Sequence, residues 1–339
     1  MQKYLVFIGI DISKKWVDVC PSHDGQKKDM PHQRFDNNKK GFRQMVRFIQ
    51  DFARRRQLMG QWLFCMEHTG VYVMPLCNFL EQQRLDYVLE SALQISKSLG
   101  IRRGKSDKAD AADIARYVFL HHREVKPYRL PSDTLLKIRN LLRLHDRLTK
   151  AHAALKTAAR ELEGFTVKAL NREVVQVSTD TMSSLKTKLG GVDQRILELI
   201  KSSDELHRLY LLITSVKGVG LIIGANLLVC TNGFQSFQTA RQFACYAGLA
   251  PFGHSSGTSV KRPDKVSNLA NKKFKALLSN GAMSAIRYDP EIKAYYMRKI
   301  DEGKNPFLVK NNVKNKLIQR IFAVVKRGTP YVGLGKFRA

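Results

Sequence analysis

Residues 8–20 read Ile8-Gly9-Ile10-Asp11-Ile12-Ser13-Lys14-Lys15-Trp16-Val17-Asp18-Val19-Cys20. The apolar, β-branched-rich run over 4–12 predicts a strand, Ser13-Lys14-Lys15 a turn, and residues 16–20 a second strand. Asp11 lies inside the first run between two isoleucines, where a carboxylate is costly to bury unless something pairs with it. Outward from there, residues 23–28 are turn-like and 32–35 suit a short third strand. Phe42, Met45, Val46, Phe48, Ile49 and Phe52 recur at helical spacing. Residues 62–66 and 85–89 read as strands, 71–83 as an amphipathic stretch and 106–121 as a helix. Three strands followed by alternating helices and strands give a βββαβαβα order, an α/β domain over residues 1–125.

Residues 126–133 carry two prolines and read as a linker, with Ser132 placed to cap the next helix. Leu141, Leu144, Leu148, Ala151, Leu155, Ala158 and Leu162 alternate spacings of three and four, an a/d seam over three heptads. A weaker seam runs through Leu185, Leu189, Val192, Ile196 and Leu199. The middle segment, 126–210, is therefore expected to be a helical coiled coil packing on itself or on a second protomer. From 211 to 339 short helices, glycine-containing turns and dense Lys/Arg decoration predict a mostly α C-terminal domain.

The formal charge is +29, from 58 Lys and Arg against 29 Asp and Glu. That balance points to a polyanionic partner and argues against small neutral substrates. The five cysteines show no metal-ligand spacing and read as buried free thiols. No apolar run reaches spanning length and the N-terminus runs straight into a strand, so a soluble cytoplasmic protein with no membrane contact is expected.

Glu67 ends a strand in Cys65-Met66-Glu67-His68-Thr69-Gly70, and Asp107, Asp110 and Asp113 follow at spacing three, along one helix face. Taken singly each is a solvated or salt-bridged acid; taken together with Asp11 they call for a hard cation, Mg²⁺ or Mn²⁺. Two such ions are suited to phosphoryl transfer. Further on, Val216-Lys217-Gly218-Val219-Gly220 leading into the apolar stretch 221–229 resembles a helix-hairpin-helix turn, in which Lys217, Gly218 and Gly220 could meet a phosphate. A plain helix-connecting turn has the same pattern. Lys261, Arg262, Lys265, Lys272 and Lys273 form a patch suited to nucleic-acid phosphates. Tyr288, Tyr295 and Tyr296 read as core or surface residues.

GIDISKKWVDV, EHTGVY and KSLGIRRGKSDKADAADIARY, then FQSFQTARQFACYAGLAPF followed by His254-Ser255-Ser256-Gly257, resemble in that order the blocks of the DEDD insertion-sequence transposases. This family also contains the Piv-type DNA invertases. The resemblance implies a ribonuclease-H-like, RuvC-like first domain whose catalytic and metal-binding acids are Asp11, Glu67, Asp107 and Asp110, with Asp113 an outer helper or a surface residue. It implies a serine nucleophile at Ser256, with Ser255 and Ser259 as rivals. It implies a transposase acting on double-stranded DNA, guided by a structured RNA of its element and working as a dimer or tetramer. Ala270 stands where the family has glycine, so the turn beyond the serine departs from the pattern. The alternatives are a Piv-type invertase, a RuvC-like nuclease without serine chemistry, and a non-catalytic nucleic-acid-binding protein.

Overall fold

The computed structural model describes residues 3–68, 70–100, 106–165, 168–256, 260–266 and 269–333, with backbone alone at 29, 163–165, 168–170, 252–256 and 260–265. The chain divides into two units, Met1–Leu130 and Pro131–Ala339.

In the first unit, β1 (Tyr4–Ile12), β2 (Trp16–Ser22), β3 (Gln33–Asp36), β4 (Gln61–Glu67) and β5 (Asp86–Glu90) form one sheet in the order β3-β2-β1-β4-β5. The first three strands are antiparallel neighbours, while β4 runs parallel to β1 and β5 parallel to β4. Helices α1 (Lys39–Arg55), α2 (Met74–Gln82), α3 (Ala92–Ser98) and α4 (Asp107–His121) cover it. The period of two along β1 sorts its side chains. Val6, Ile8 and Ile10 join Phe42, Met45 and Ile49 of α1 and Leu76 and Leu80 of α2. Phe7 joins Leu63, Cys65 and Val88 with Ile114 and Val118 of α4 on the other face.

Gly9 shares that second face. A Cβ there would stand 2.1 Å from the Ala111 carbonyl oxygen and 2.2 Å from the Ala115 nitrogen, so only glycine lets α4 lie directly on β1. The strands and helices expected from periodicity are present with ends shifted by a few residues. Helix α3 was not expected: it is seven residues long and buries only Ile95, too little for a period to register.

The second unit opens with α5 (Asp133–Phe165) and α6 (Lys168–Lys201), which pack along each other as a hairpin. On α5 from 141 onward, the half-buried or buried positions are 141, 145, 148, 152, 155, 159 and 162, together with Leu142 and Asp146. Leu148, Leu155 and Leu162 thus stand in the seam as expected, but Leu144, Ala151 and Ala158 face solvent. His145, His152 and Ala159 take their places, and His145 lies 3.4 Å from Asp193 of α6. Hydropathy ranks Leu144 above His145 and Ala151 above His152, which displaced one set of the expected seam positions by one residue. The α6 seam holds all five expected residues.

Around the base of this hairpin fold α7 (Asp204–Thr214), α8 (Leu221–Cys230), α9 (Ala240–Tyr246), α10 (Lys272–Tyr288), α11 (Pro290–Asp301) and α12 (Pro306–Arg327). Ile138, Ile196, Ile213, Leu228, Phe243 and Leu317 lie in their common core. A two-stranded hairpin, β6 (Pro251–Ser256) with β7 (Val260–Val266), interrupts the helices and was not expected from so polar a stretch. All five cysteines are free, three of them buried. Among the described residues no helix is long and apolar enough to cross a membrane.

Candidate metal centre

Gly9 fixes the site. Asp11 is two residues further along the same face of β1, and α4, seated on Gly9 through Ala111 and Ala115, carries its first turn toward Asp11. That turn holds Asp107 and Asp110, with Ser106 as N-cap accepting a 3.2 Å hydrogen bond from the Ala109 nitrogen. Carboxylates in a first helical turn also suit the helix dipole. The parallel register sets Cys65 against Gly9 and Met66 against Ile10, so Glu67 at the end of β4 comes level with Asp11.

The sheet and one helix terminus therefore converge four carboxylates. Burial first, then the charges of Asp110, Glu67 and Asp107, push the Asp11 carboxyl up from 3.8 to about 6. Those are the three acids the sequence pairs with it. Among the described residues, no group of three or more His, Cys, Asp or Glu side chains is arranged to hold a metal ion as it stands. The donor set, all carboxylate oxygen, fits a hard divalent cation.

Sequence reasoning missed a network beside these acids. Asp18 lies opposite Asp11 in the β1–β2 register and is only 3% exposed. Two like charges face to face across a ladder repel unless one is neutralised. Here His32 Nε2 lies 2.7 Å from Asp18 Oδ1, and Arg34 Nε donates to both Asp18 oxygens at 3.1 Å. The same guanidinium donates from Nη2 to Asp107 Oδ2 at 2.6 Å. Arg34 thus bridges a buried acid on β2 to an exposed acid on α4. The pairing was available from the turn Ser13-Lys14-Lys15, which sets residue 11 against residue 18; nothing local in the sequence marks Arg34. Glu90, level with Glu67 on β5, accepts a 3.0 Å hydrogen bond from the Tyr117 hydroxyl.

Asp113 corrects an expectation. It is 2% exposed and ion-paired with Lys27 of the 3₁₀ turn at Lys27–Asp29, so it is not a surface residue and does not extend an open acidic face.

In the second unit, Ser256 is the last residue of β6, paired in the backbone ladder with Val260, as Ser255 is with Lys261 and His254 with Arg262. The side chains of Ser255, Ser256, Lys261, Arg262 and Lys265 lie outside the described residues, and so does Ser259 altogether. Lys272 is exposed; Lys273 lies 3.4 Å from Asp146 of α5. Lys217 and Gly220 are exposed in the α7–α8 turn. Gly218 has φ +94°, and a Cβ on it would stand 2.4 Å from the Gly281 carbonyl oxygen, so its glycine serves close packing on α10.

Two family models match in series: a DEDD transposase model, described as transposase, over residues 8–162, and the transposase IS116/IS110/IS902 family over residues 210–297. Among known proteins the chain is similar to the pilin gene-inverting protein of Moraxella bovis, 28% identical over 331 residues that make 96% of this chain and 97% of that one. It is 34% identical over 171 residues to the insertion element IS110 uncharacterized 43.6 kDa protein of Streptomyces coelicolor, 48% of this chain and 42% of that one. A probable family 20 transposase of Pseudomonas aeruginosa is 22% identical over 257 residues, 67% of this chain and 75% of its own.

Proposed function

The chain belongs to the DEDD transposases of the IS110 type, a family of DNA recombination enzymes, and we propose that it cuts and rejoins the DNA of its own insertion sequence with a ribonuclease-H-like acidic centre and a serine nucleophile. The observation that carries this reading is the gathering of Asp110, Glu67 and Asp107 around Asp11, whose burial first and whose acidic neighbours next push its carboxyl up to about 6. Repulsion of that kind is tolerated where a cation is to be bound. Asp11, Glu67, Asp107 and Asp110 would hold Mg²⁺ or Mn²⁺, and the bound ion supplies Lewis-acid stabilisation of charge on the phosphoryl and leaving oxygens. The strand order β3-β2-β1-β4-β5 supports the ribonuclease-H-like reading of this unit.

Arg34 holds Asp107 at one end of a fixed guanidinium whose other end is anchored on Asp18, so the most exposed acid is positioned by the most buried one. In the second unit the Ser256 hydroxyl would displace a deoxyribose oxygen at the scissile phosphate, leaving a phosphoserine link and a free hydroxyl end. A strand-end hydroxyl attacking that link restores a phosphodiester and the serine, so rejoining needs no outside energy. A structured RNA from the element and a dimer or tetramer complete the reading; the net charge of +29 exceeds what one duplex needs and supports it. Action in the cytoplasm, on the nucleoid, goes with these partners.

DNA inversion at a fixed site is the second reading, favoured because the match to the pilin gene-inverting protein runs through almost the whole of both chains.

The test is strand joining by the purified protein in Mg²⁺, with its element-end DNA and flanking RNA, beside Asp11→Ala and Ser256→Ala. A recombinant product and a covalent protein–DNA adduct are expected, both absent in Ser256→Ala and neither formed by Asp11→Ala. Cleavage that needs Asp11 and ignores Ser256 would sink the serine mechanism. A plasmid carrying two inverted ends separates the readings: inversion without intermolecular joining favours the second.

A further inference from the structure

A groove of about 900 Å³ lies between β3, the edge strand of the first sheet, and α1. We propose that this groove seats the phosphodiester backbone of the DNA strand being processed and leads it to the acidic centre. Its rim is cationic: Lys28, Arg34, Arg47, Arg55 and Arg56 line it and are all exposed. Asp51 is the single acid among the described lining residues, and it lies 3.5 Å from Arg54 on its own helix. Among the described residues no carboxylate pairs with Lys28, Arg47 or Arg55. Gathering like charges without counter-ions costs free energy that a bound polyanion returns, through the release of its own condensed ions.

The chemistry of the lining selects backbone over bases. Phe35 and Phe52 are buried at 6% and 5% exposure and form the floor, and Arg56 already covers Phe52 at 4.2 Å from the ring centre. Phe48, the third lining aromatic, is half-buried with its ring 5.8 Å from that of Phe35, whereas the exposed guanidinium groups of the rim can take phosphate oxygens in pairs. Arg47 and Arg55 stand two turns apart on α1, about 12 Å along the helix. That length lets the two guanidinium groups meet different phosphates of one strand, whose axial rise in a duplex is about 3.4 Å per nucleotide.

One contact says which strand. Arg34 lines the groove and also donates to Asp107 at 2.6 Å, so the groove ends one side chain away from the acids. A strand lying in it is continuous with whatever the acids act upon, which, on the function proposed above, is DNA. The inference rests on that reading only for the identity of the strand.

The experiment compares two double charge reversals on the same helix in the full chain. Arg47→Glu with Arg55→Glu alters the groove; Lys40→Glu with Arg43→Glu makes the same change of charge on exposed positions that do not line it. Binding of fluorescent element-end DNA and of element RNA is measured in EDTA across a salt series. The groove variant is expected to bind DNA at least tenfold more weakly, with a salt slope shallower by about two. The off-groove variant is expected to stay within about threefold of wild type, and RNA affinity to change alike in both. Equal losses of DNA affinity in the two variants, or none in either, overturn the proposal, as does a groove variant that loses RNA and keeps DNA. If the groove variant does not melt as wild type does, Arg47→Gln with Arg55→Gln replaces it. Because binding is read without metal, a wild type that binds through the groove but never cuts would count against the recombinase and leave the groove standing.

Discussion

Asp11 is ordinary as a strand residue until its surroundings are counted: a carboxylate opposite Asp18 whose burial first, and then the charges of Asp110, Glu67 and Asp107, raise its pKa from 3.8 to about 6. A folded-state pKa above the unfolded one means the folded protein binds the proton more tightly. The ionised form therefore opposes folding, by an amount that grows as pH rises from about 4 to about 6 and is constant above. Asn carries no charge at any pH, so Asp11→Asn should raise the melting temperature of the metal-free protein at pH 7.5, with the gain shrinking to nothing near pH 4. The shift would be worth about 3 kcal/mol if fully felt, but Asp11 is partly exposed and solvent screens it, so about 1 kcal/mol, or about 2–4 °C, is the expected gain. Melting curves in EDTA at several pH values check this; a variant no more stable than wild type at pH 7.5 means that neither burial nor the neighbouring acids penalise the ionised Asp11. Among the described residues Asp18 has partners that Asp11 lacks: Arg34 Nε donates to both of its oxygens and His32 Nε2 lies 2.7 Å from Oδ1. All four acids were legible in the sequence as chemical types at suggestive places. Their neutralising partners were not, because Arg34 meets Asp107 across 73 residues and no local pattern encodes that distance.

Elements carry this arrangement only through close approach. Helix α4 touches β1 at Gly9 with no room for a methyl group, and the contact falls on backbone atoms that cannot swing away. Gly9→Val should push α4 outward, separating Asp107 and Asp110 from Asp11 and emptying the packing of Ala111 and Ala115. We expect a loss of about 1–3 kcal/mol by chemical denaturation, as overpacking costs, with secondary structure retained and strand cleavage abolished. Circular dichroism beside the cleavage assay checks it, and full activity in Gly9→Val would show that α4 is not held by that contact. Strands β1 to β5 and helices α1, α2 and α4 could be read from period two and period 3.6 because each buries one regular face. The β6–β7 hairpin could not: its sequence, PFGHSS and VKRPDKV, has no apolar alternation, and backbone pairing alone defines it. In the α5 seam, three of the seven expected positions were misplaced by a residue for the complementary reason, while Leu141, Leu148, Leu155 and Leu162 stand where expected. Its leucines recur every seven, but the positions between them hold His145, His152 and Ala159, which hydropathy ranks below the exposed Leu144.

At the scale of the whole molecule, a chain of net charge +29 gathers Glu67, Asp107 and Asp110 around Asp11, with Asp107 held by Arg34. On the function proposed above, long-range attraction would bring DNA in, and short-range repulsion between phosphate and acid would resist the last approach until a cation stood between them. The two effects separate by range and by metal. In EDTA, Asp11→Asn combined with Asp110→Asn should bind element-end DNA more tightly than wild type. Each removed charge near a phosphate is worth about 0.5–1 kcal/mol in a solvated site, so an increase of about threefold to tenfold is expected. In Mg²⁺ the order should close or reverse, since wild type then holds the cation and the variant cannot. Strand cleavage is lost in the variant under both conditions, so tighter binding would accompany inactivity. Identical affinities of wild type and variant in EDTA would mean that bound DNA does not reach the acids, and the +29 charge would then be serving a strand held elsewhere on the protein.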